Sequence, residues 1–479
     1  MRHAVLAVCL VPSMLGAAEP VRVGFAETDI TPPNGFPMAG YYHERLAEGA
    51  IDPLKAKAVV FQGETEQAAL VICDLIGISI DLSTHIRAEA SERTGIPVSN
   101  IVVAGTHSHT APDYGKELYR VFGGNPGEPS RAAYIDQMIH HTADAVVEAH
   151  ANAAPSLLFS GSAQQELPVS FNRRFVMKDG SARTWMTYAS SDVVRAAGPI
   201  DPEVPMLLVK GTDGAPRGLV SSFALHLDTV GGMKWSADYP FYIAESVRAA
   251  LGPDVVSVFG LGTCGDINHV NPNASERNKT DVIGNSLGAT ITSQLDKLTP
   301  LEAINVRVRS TVVQLPLQVS TNEELAAAEK AIMAVQRGET HDFYEHVTAY
   351  KRLIIDRLQH KPPVIESDNL ITWGLTHTWA GIGDSLPVEV HAICIGDDVA
   401  IVCLPGEVFV DLGLAIKRAS PFRTTFVIEL ANAKETIYLP TRAACAQGSY
   451  EVTNSATLPG SGEMLVEAAI GLLRDAAGK

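Results

Sequence analysis

The sequence has 479 residues, of which 46% are hydrophobic and 19% are charged, an ordinary globular composition with enough length for one or two domains. Its formal net charge is −17. An acidic balance of this size argues against nucleic acid and against an anionic membrane surface as the main partner.

The N-terminus has the pattern of a signal peptide. Arg2 and His3 form a short basic start, an apolar run follows over residues 4–15, and 16–18 are the small residues Gly-Ala-Ala. We therefore predict a signal peptide at residues 1–18 and a mature chain of 19–479 that is secreted or periplasmic. No later segment is long and uncharged enough to predict a transmembrane helix.

The cysteines predict neither a disulfide framework nor a zinc site. Six are present, and since Cys9 lies in the signal peptide, an odd number at irregular spacing remains. Cys73, Cys394 and Cys403 lie inside apolar runs, which is typical of small buried side chains. This pattern leaves room for a single bridge in an oxidising compartment.

Short apolar runs alternate with helical patterns along the chain, which predicts an α/β fold with a layered mixed sheet flanked by helices. The predicted strands are residues 59–61, 68–73, 101–104, 207–209, 219–225, 255–259, 399–404 and 424–428. The predicted helices are residues 81–94, 133–150, 239–251 and 462–476. Residues 321–358 are predicted as two helices joined near Gly338, a helical insertion that either flanks or covers the core.

Several apolar strands end in polar stretches that contain histidine or glycine. Strand 101–104 leads into His107-Ser108-His109, strand 219–225 into His226, strand 255–259 into residues 262–266, and strand 399–404 into Pro405-Gly406-Glu407. If these strands are parallel neighbours, their carboxyl ends meet at one edge of the sheet. Open α/β sheets bind their ligands at this edge.

Three side chains at these strand ends are candidates for metal binding. Alternate residues of an extended chain point the same way, about 6.6 Å apart, so His107 and His109 suit a metal or one ligand beside one acid–base group. His226 offers a third imidazole, and Glu407 offers the carboxylate that a two-histidine zinc site needs. The alternatives are two loop histidines bonded to backbone, a buried core histidine and a glutamate near a helix N-terminus.

Taken together, these motifs resemble the catalytic domain of the neutral/alkaline (non-lysosomal) ceramidases. The segments that carry the resemblance lie in the family order and span nearly the whole mature chain. They are residues 23–32, Gly40-Tyr41, residues 105–112, Asn172-Arg173, residues 223–226, residues 265–268, residues 405–407 and residues 449–451.

The resemblance implies one zinc ion held by His107, His226, Glu407 and the late tyrosine Tyr450. It implies that His109 stands beside the reacting carbonyl and that Arg173 stabilises an oxyanion, and Asp266 and Asn268 of the same motif set are predicted as further catalytic residues. The implied reaction is hydrolysis of the amide bond of an N-acyl compound by zinc-activated water, with ceramide as the substrate.

Two departures from the family limit this transfer. The family has a serine at the position of Asn268, and an asparagine can donate a hydrogen bond but cannot act as a hydroxyl nucleophile. The family also adds a C-terminal immunoglobulin-like domain, which this sequence is expected to lack. Three hypotheses therefore stay open: an amidohydrolase for a small-molecule or lipid substrate, a zinc esterase or cell-wall carbohydrate hydrolase, and a non-catalytic binding module. The oligomeric state is not predicted.

Overall fold

The computed structural model describes residues 21–122, 127–274, 277–302, 304–365 and 380–479. The predicted signal peptide lies outside these ranges. Inside them, two sheets form the central layers and helices cover their outer faces. Among the described helices, none combines the length and the hydrophobicity needed to cross a bilayer. The described cysteines from Cys73 onward are free thiols.

The strands and helices are numbered separately in chain order. The strands are β1 (Arg22–Asp29), β2 (Gly49–Ala50), β3 (Lys55–Gln62), β4 (Gln67–Cys73), β5 (Ile101–Gly105), β6 (Ala154–Gln164), β7 (Phe171–Asn172), β8 (Arg174–Met177), β9 (Ala182–Thr184), β10 (Val193–Ala196), β11 (Glu203–Gly211), β12 (Pro216–Phe223), β13 (Lys234–Trp235), β14 (Val256–Leu261), β15 (Ile267–Asn268), β16 (Thr299–Pro300), β17 (Val306–Pro316), β18 (Ser385–Ile395), β19 (Val399–Cys403), β20 (Glu407–Val408), β21 (Thr424–Ile428) and β22 (Tyr438–Leu439). The helices are α1 (Ile80–Thr94), α2 (Gly115–Phe122), α3 (Pro129–Ala151), α4 (Tyr239–Leu251), α5 (Thr280–Thr292), α6 (Asn322–Gln336), α7 (Phe343–Gln359), α8 (Val410–Ala419), α9 (Arg442–Gln447), α10 (Tyr450–Thr453) and α11 (Ser461–Ala476). Single 3₁₀ turns lie at Val98–Asn100 and Leu295–Lys297.

The larger sheet has the order β14-β12-β11-β6-β1-β3-β4-β5, with β16 added beside β6. Most of its neighbours are antiparallel, but β4 and β5 are parallel, as are β12 and β14. The second sheet has the order β17-β18-β19-β21 and also ends in a parallel pair. The predicted mixed α/β sheet is therefore confirmed.

The two sheets pack face to face, and this explains why several strands are apolar on both faces. In β3, Val59 and Phe61 join the core between the sheets, whereas Ala58 and Val60 face the core under α1 and α3. Successive strand residues point to opposite faces, so a strand buried on both sides becomes a continuous apolar run. Each large apolar side chain buried this way contributes roughly 1.5–3 kcal/mol to the stability of the folded state.

Helices close the remaining faces. The α4 and α5 helices cover β11, β12 and β14. The α6, α7, α8 and α11 helices cover the outer face of the second sheet. The α6 helix begins with a capping box, in which Thr321 and Glu324 each bond the other's backbone N–H, as expected for a helix start at this point. The two helices predicted over residues 321–358 thus form, and they pack on the second sheet.

Each predicted strand and helix has a counterpart in the structure, with ends shifted by a few residues. The strand predicted at 219–225 ends at Phe223, which leaves His226 in a loop. The long strands β6, β17 and β18 were not predicted. In β17, Arg307 and Arg309 alternate with buried valines, so no continuous apolar run marks the strand.

The predicted strand ends do meet, but of these strands only β12 and β14 are parallel neighbours. The β5 and β14 strands lie at opposite ends of the larger sheet. The chain that follows β21 joins them, since Glu429 N–H donates to the Leu261 carbonyl (3.0 Å) and Gly105 N–H donates to the Leu430 carbonyl (3.2 Å). The second sheet therefore brings together the two ends of the first sheet.

Candidate metal centre

His107 is held by the loop that follows β4. Its backbone N–H donates to the Leu75 carbonyl (2.8 Å), and its Nδ1 lies 2.7 Å from the Ile76 carbonyl oxygen. A carbonyl only accepts, so Nδ1 carries the proton and the Nε2 lone pair points away from the loop. The φ angle of His107 is 72°, which is uncommon outside glycine.

Three imidazoles converge on one point. The Nε2 atoms of His107 and His226 are 2.9 Å apart, and His109 Nε2 lies 3.2 Å from His107 Nε2. His226 Nδ1 faces the Cys264 carbonyl at 3.4 Å, which leaves its Nε2 free to accept. Burial lowers the pKa of His109 and of His226 well below the usual range, with His107 adding to both shifts. Neutral imidazole is the form that binds metal ions.

Glu407 completes a donor set of nitrogen and oxygen atoms. Its Oε2 lies 3.4 Å from His107 Nε2 and 3.7 Å from His226 Nε2. This oxygen is buried and has no hydrogen-bond partner among the described residues. Burial alone would raise the pKa of Glu407, but the attraction of His107 outweighs it and the net pKa is lowered. A divalent cation such as zinc fits this arrangement, because three nitrogen lone pairs and an unpartnered carboxylate oxygen otherwise face one another.

Glu407 is placed by a backbone conformation that only glycine adopts easily. Gly406 has a φ of 65°, and a Cβ at this position would lie 1.9 Å from Thr436 Oγ1. The close approach of Gly406 to Thr436 allows β20 to pair with β22, with Glu407 opposite Tyr438. The proline and glycine before Glu407 therefore set its position. The sequence motif alone does not show this structural reason for the proline and glycine.

Tyr438 contacts the cluster through Glu407, and the sequence analysis did not assign it a role. Tyr438 lies opposite Glu407 where β20 pairs with β22, and its hydroxyl accepts a hydrogen bond from Arg173 Nη2 (3.0 Å). Tyr450, which the resemblance implies as a ligand, has its hydroxyl 3.3 Å from the Tyr42 hydroxyl, and its ring stacks on Phe343. Both tyrosines line the same cavity.

Arg173 is fixed by a buried ion pair. Its Nε donates to Glu451 Oε1 (2.8 Å), and its Nη2 also donates to the Gly265 carbonyl (2.8 Å). Burial lowers the pKa of Arg173, but Tyr438, Glu451 and Glu407 outweigh it and raise the net pKa. Arg173 thus supplies a permanent positive charge beside Tyr438.

Asp266 and Asn268 are placed to brace the site. Asp266 accepts from Asn172 Nδ2 (2.7 Å) and from the Val410 N–H at the start of α8 (2.9 Å), and burial raises its pKa to about 6. Asn268 lies in β15 and accepts from the Val270 N–H (3.1 Å). Neither residue lines the cavity described below.

Glu429 lies behind the histidines, and the sequence motifs did not predict a role for it. Its two oxygens accept from Cys264 Sγ (3.1 Å) and from the Val408 N–H (2.6 Å), so it joins the segments that carry His226 and Glu407. Burial raises the pKa of Glu429 well above the usual range. It directly follows the predicted strand 424–428, so the polar-residue-after-strand pattern could have found it.

A cavity of 680 Å³ opens beside the candidate metal centre. His107, His109 and Glu407 form part of its wall. Five tyrosines are among the other lining residues, and α6 and α7 contribute Gln336, Tyr350 and Ile354. The helical segment over residues 321–358 therefore both packs on the core and forms one wall of the cavity.

One buried carboxyl in this wall makes stability depend on pH. Burial raises the pKa of Glu435 from 4.5 to about 7. The folded state therefore keeps a proton that the unfolded state has already lost, and stability falls as the pH rises through this window. We expect Glu435→Gln to be more stable than the wild type by roughly 1–3 kcal/mol at about pH 8, with little difference at about pH 4.

Urea unfolding of both proteins at the two pH values measures this difference. Glu245→Gln is the matched control, because Glu245 is an exposed glutamate of α4 with a side-chain exposure of 55%. A Glu435→Gln advantage that is equal at both pH values would contradict the expectation.

Comparison with known structures identifies the fold. The chain is similar to the neutral ceramidase from Pseudomonas aeruginosa, with a TM-score of 0.67 and 18% sequence identity over 96% of this chain and 75% of that one. It is also similar to a ceramidase structure complexed with C2, with a TM-score of 0.68 and 17% identity over 96% and 76% of the two chains. No family model matches the sequence, and no curated protein matches it. The predicted neutral-ceramidase-like fold is thereby confirmed.

Proposed function

We propose that this chain is a zinc-dependent hydrolase that cleaves the amide bond of an N-acyl compound. The observation that carries the proposal is the convergence of three imidazole Nε2 atoms and the unpartnered Glu407 Oε2 at the wall of a 680 Å³ cavity. The same fold occurs in proteins described as ceramidases, which favours amide hydrolysis over other metal chemistry.

His107, His226 and Glu407 are the proposed protein ligands of one zinc ion. The fourth ligand in the proposal is a tyrosine. The family resemblance implies Tyr450, whereas the position of Tyr438 opposite Glu407 in the pairing of β20 with β22 favours Tyr438. When bound, zinc polarises the substrate carbonyl and lowers the pKa of a water molecule.

The remaining residues move a proton and balance charge. His109 is the proposed proton acceptor and donor, since it is neutral, its Nε2 faces the cluster, and its Nδ1 lies 3.7 Å from Asp228 Oδ1. Arg173 is the proposed stabiliser of the negative charge that develops on the carbonyl oxygen, since its guanidinium donates to the Tyr438 hydroxyl beside Glu407. Asp266 and Asn268 hold the loop that contains Gly265, whose carbonyl accepts a hydrogen bond from Arg173.

The cavity fits an amphiphilic substrate, and ceramide is the first substrate to test. Met38, Leu118 and Ile354 give it apolar surface, while tyrosines and charged side chains give it polar surface. Because of that polar surface, an ester with a polar group is a second candidate substrate for the same metal site. Export through the signal peptide at residues 1–18 belongs to the same proposal.

Metal analysis and a hydrolysis assay test the proposal. We expect about one zinc ion per chain and release of fatty acid from an N-acylsphingosine, lost on chelation and restored by zinc. Bound zinc without fatty-acid release from this substrate would support the metal site but reject ceramide as the substrate. A panel of esters would then be assayed. Absence of bound metal after incubation with zinc would reject the metal-dependent mechanism itself.

A further inference from the structure

A bulky residue with a strained backbone lies beside Tyr450. Trp185 directly follows β9 and has a φ of 61°, a left-handed conformation that is an outlier for an aromatic residue. Its side chain gains little burial in exchange, because the residue is 51% exposed. Such a conformation is unfavourable for an L-residue and persists only where the surrounding structure imposes it. Strain at an exposed side chain indicates a role in function rather than in packing.

The segments that build the candidate metal centre impose this conformation. The Trp185 N–H donates to the Arg173 carbonyl (2.9 Å). One residue earlier, Thr184 Oγ1 donates to Glu451 Oε2 (2.8 Å), and Glu451 is the buried partner of Arg173. The backbone that carries the indole is therefore fixed to both members of the buried ion pair that positions the Arg173 guanidinium.

The indole of Trp185 belongs to an exposed aromatic surface around the Tyr450 ring. The ring centres of Trp185 and Tyr450 are 4.7 Å apart. Phe343, at the start of α7, stacks on Tyr450 at 5.8 Å with 17° between the ring planes, and the Tyr344 ring lies 5.8 Å from Phe343. We call Trp185, Phe343 and Tyr344, which are 51%, 39% and 41% exposed, the aromatic shelf. Exposed clusters of large apolar side chains mark binding surfaces.

Tyr450 joins the aromatic shelf to the candidate metal centre. Its ring centre lies 5.7 Å from that of Tyr438 and 6.0 Å from Arg173 Cζ. Tyr450 also lines the cavity, whereas the three residues of the aromatic shelf do not. The aromatic shelf is therefore an apolar surface outside the cavity that begins one ring away from the site of the proposed reaction.

The two-sided shape of an amide indicates what the aromatic shelf binds. A substrate whose carbonyl lies at the metal centre extends in two directions, as an acyl arm and as an amine arm, and the cavity holds one of them. The other arm lies outside the cavity. Hydrocarbon matches the aromatic shelf, since large rings bind it through buried apolar area, whereas a charged arm gains nothing from that area.

We propose that the aromatic shelf binds a hydrocarbon chain of the substrate and that Trp185 is the residue that sets the preference for chain length. The proposal rests on the proposed amide hydrolysis and narrows its substrate class to N-acyl compounds with an apolar arm outside the cavity. This arm is the acyl chain or the chain of the amine, and two series of substrates distinguish them.

Synthetic amides, used below the concentration at which they aggregate, test the proposal on the full-length, zinc-loaded protein. One series joins ethanolamine to acyl chains from butanoyl to decanoyl, and the other joins an acetyl group to amines from butylamine to decylamine. We measure kcat/KM where turnover occurs and the dissociation constant by calorimetry where it does not. The readout is the ratio between the longest and the shortest member of each series.

Variants separate the indole from the backbone that carries it. Trp185→Gly should reduce this ratio roughly tenfold in one of the two series, and that series identifies the chain on the aromatic shelf. Trp185→Phe should keep most of the ratio. Phe122→Ala removes a 39% exposed ring of α2 that stacks on His85, and it should leave the ratio unchanged.

The stability of two variants tests the strain itself. Trp185→Gly should be more stable than Trp185→Ala by roughly fivefold in the folding equilibrium constant, because glycine adopts a positive φ without strain and alanine does not. Urea unfolding measures the difference. Equal stability of the two variants, or a more stable Trp185→Ala, would remove the strain from the case for a functional role.

The outcomes that overturn the proposal differ from those that overturn amide hydrolysis. If Trp185→Gly lowers kcat/KM equally at every chain length, Trp185 only supports Tyr450 and the proposal is wrong. It is also wrong if both ratios are unchanged, or if the loss occurs only with substrates in phosphatidylcholine vesicles, which would indicate contact with a bilayer. Chain-dependent binding that needs Trp185 but gives no turnover would reject amide hydrolysis and keep the aromatic shelf. Absence of both binding and turnover would reject both.

Discussion

Replacing His226 by alanine is expected to remove the bound zinc and to reduce hydrolysis about a thousandfold, since losing several kcal/mol of charge stabilisation corresponds to a factor of this size. His226 Nε2 lies 2.9 Å from His107 Nε2 and 3.7 Å from Glu407 Oε2, so its loss leaves the carboxylate and the other imidazole without a common ion. Zinc content by elemental analysis and zinc affinity by competition with a chelator measure the first effect, and the amide assay measures the second.

A surface histidine provides the control for this experiment. His140 lies on α3 with a side-chain exposure of 59% and neither belongs to the histidine cluster nor lines the cavity, so His140→Ala should keep full zinc content and activity. Full zinc content in His226→Ala would contradict the proposed ligand set. The same zinc competition applied to Tyr438→Phe and Tyr450→Phe shows which tyrosine contributes to metal binding, because the ligand variant should lose affinity and the other should not.

Replacing Glu451 by alanine is expected to destabilise the protein by about 3–5 kcal/mol, the usual consequence of leaving a buried charge without its partner. Glu451 is 0% exposed, pairs with Arg173 Nε at 2.8 Å, and accepts from Thr184 Oγ1 at 2.8 Å. Without it, the Arg173 guanidinium loses its buried counter-charge. Chemical unfolding at a single pH measures the loss of stability.

An exposed ion pair provides the comparison. Asp475 pairs with Arg309 at 2.6 Å, but its side chain is 67% exposed, so Asp475→Ala should cost about 1 kcal/mol or less. Glu451→Gln keeps the shape and one acceptor for Arg173, and it should fall between the two. A Glu451→Ala cost as small as that of Asp475→Ala would show that the buried pair contributes little net stability.

The sequence by itself determined the class of fold and three of the four proposed metal ligands. Runs such as residues 68–73 and 101–104 are long enough and apolar enough on both faces to require burial between two layers, so strands and covering helices follow from their pattern alone. The same pattern marked His107, His226 and Glu407, because polar residues directly after buried strands lie at a sheet edge. Glu429 follows the same rule after residues 424–428.

Only the tertiary structure decided which strand ends meet and which tyrosine lies beside Glu407. The β5 and β14 strands lie at opposite ends of one sheet, and the chain after β21 joins them through Glu429 and Leu430, a long-range pairing that no local pattern encodes. The register of β20 against β22 places Tyr438 opposite Glu407, and this register depends on the positive φ of Gly406. Sequence patterns fix burial and local geometry, whereas contacts between distant segments depend on the packing of whole layers.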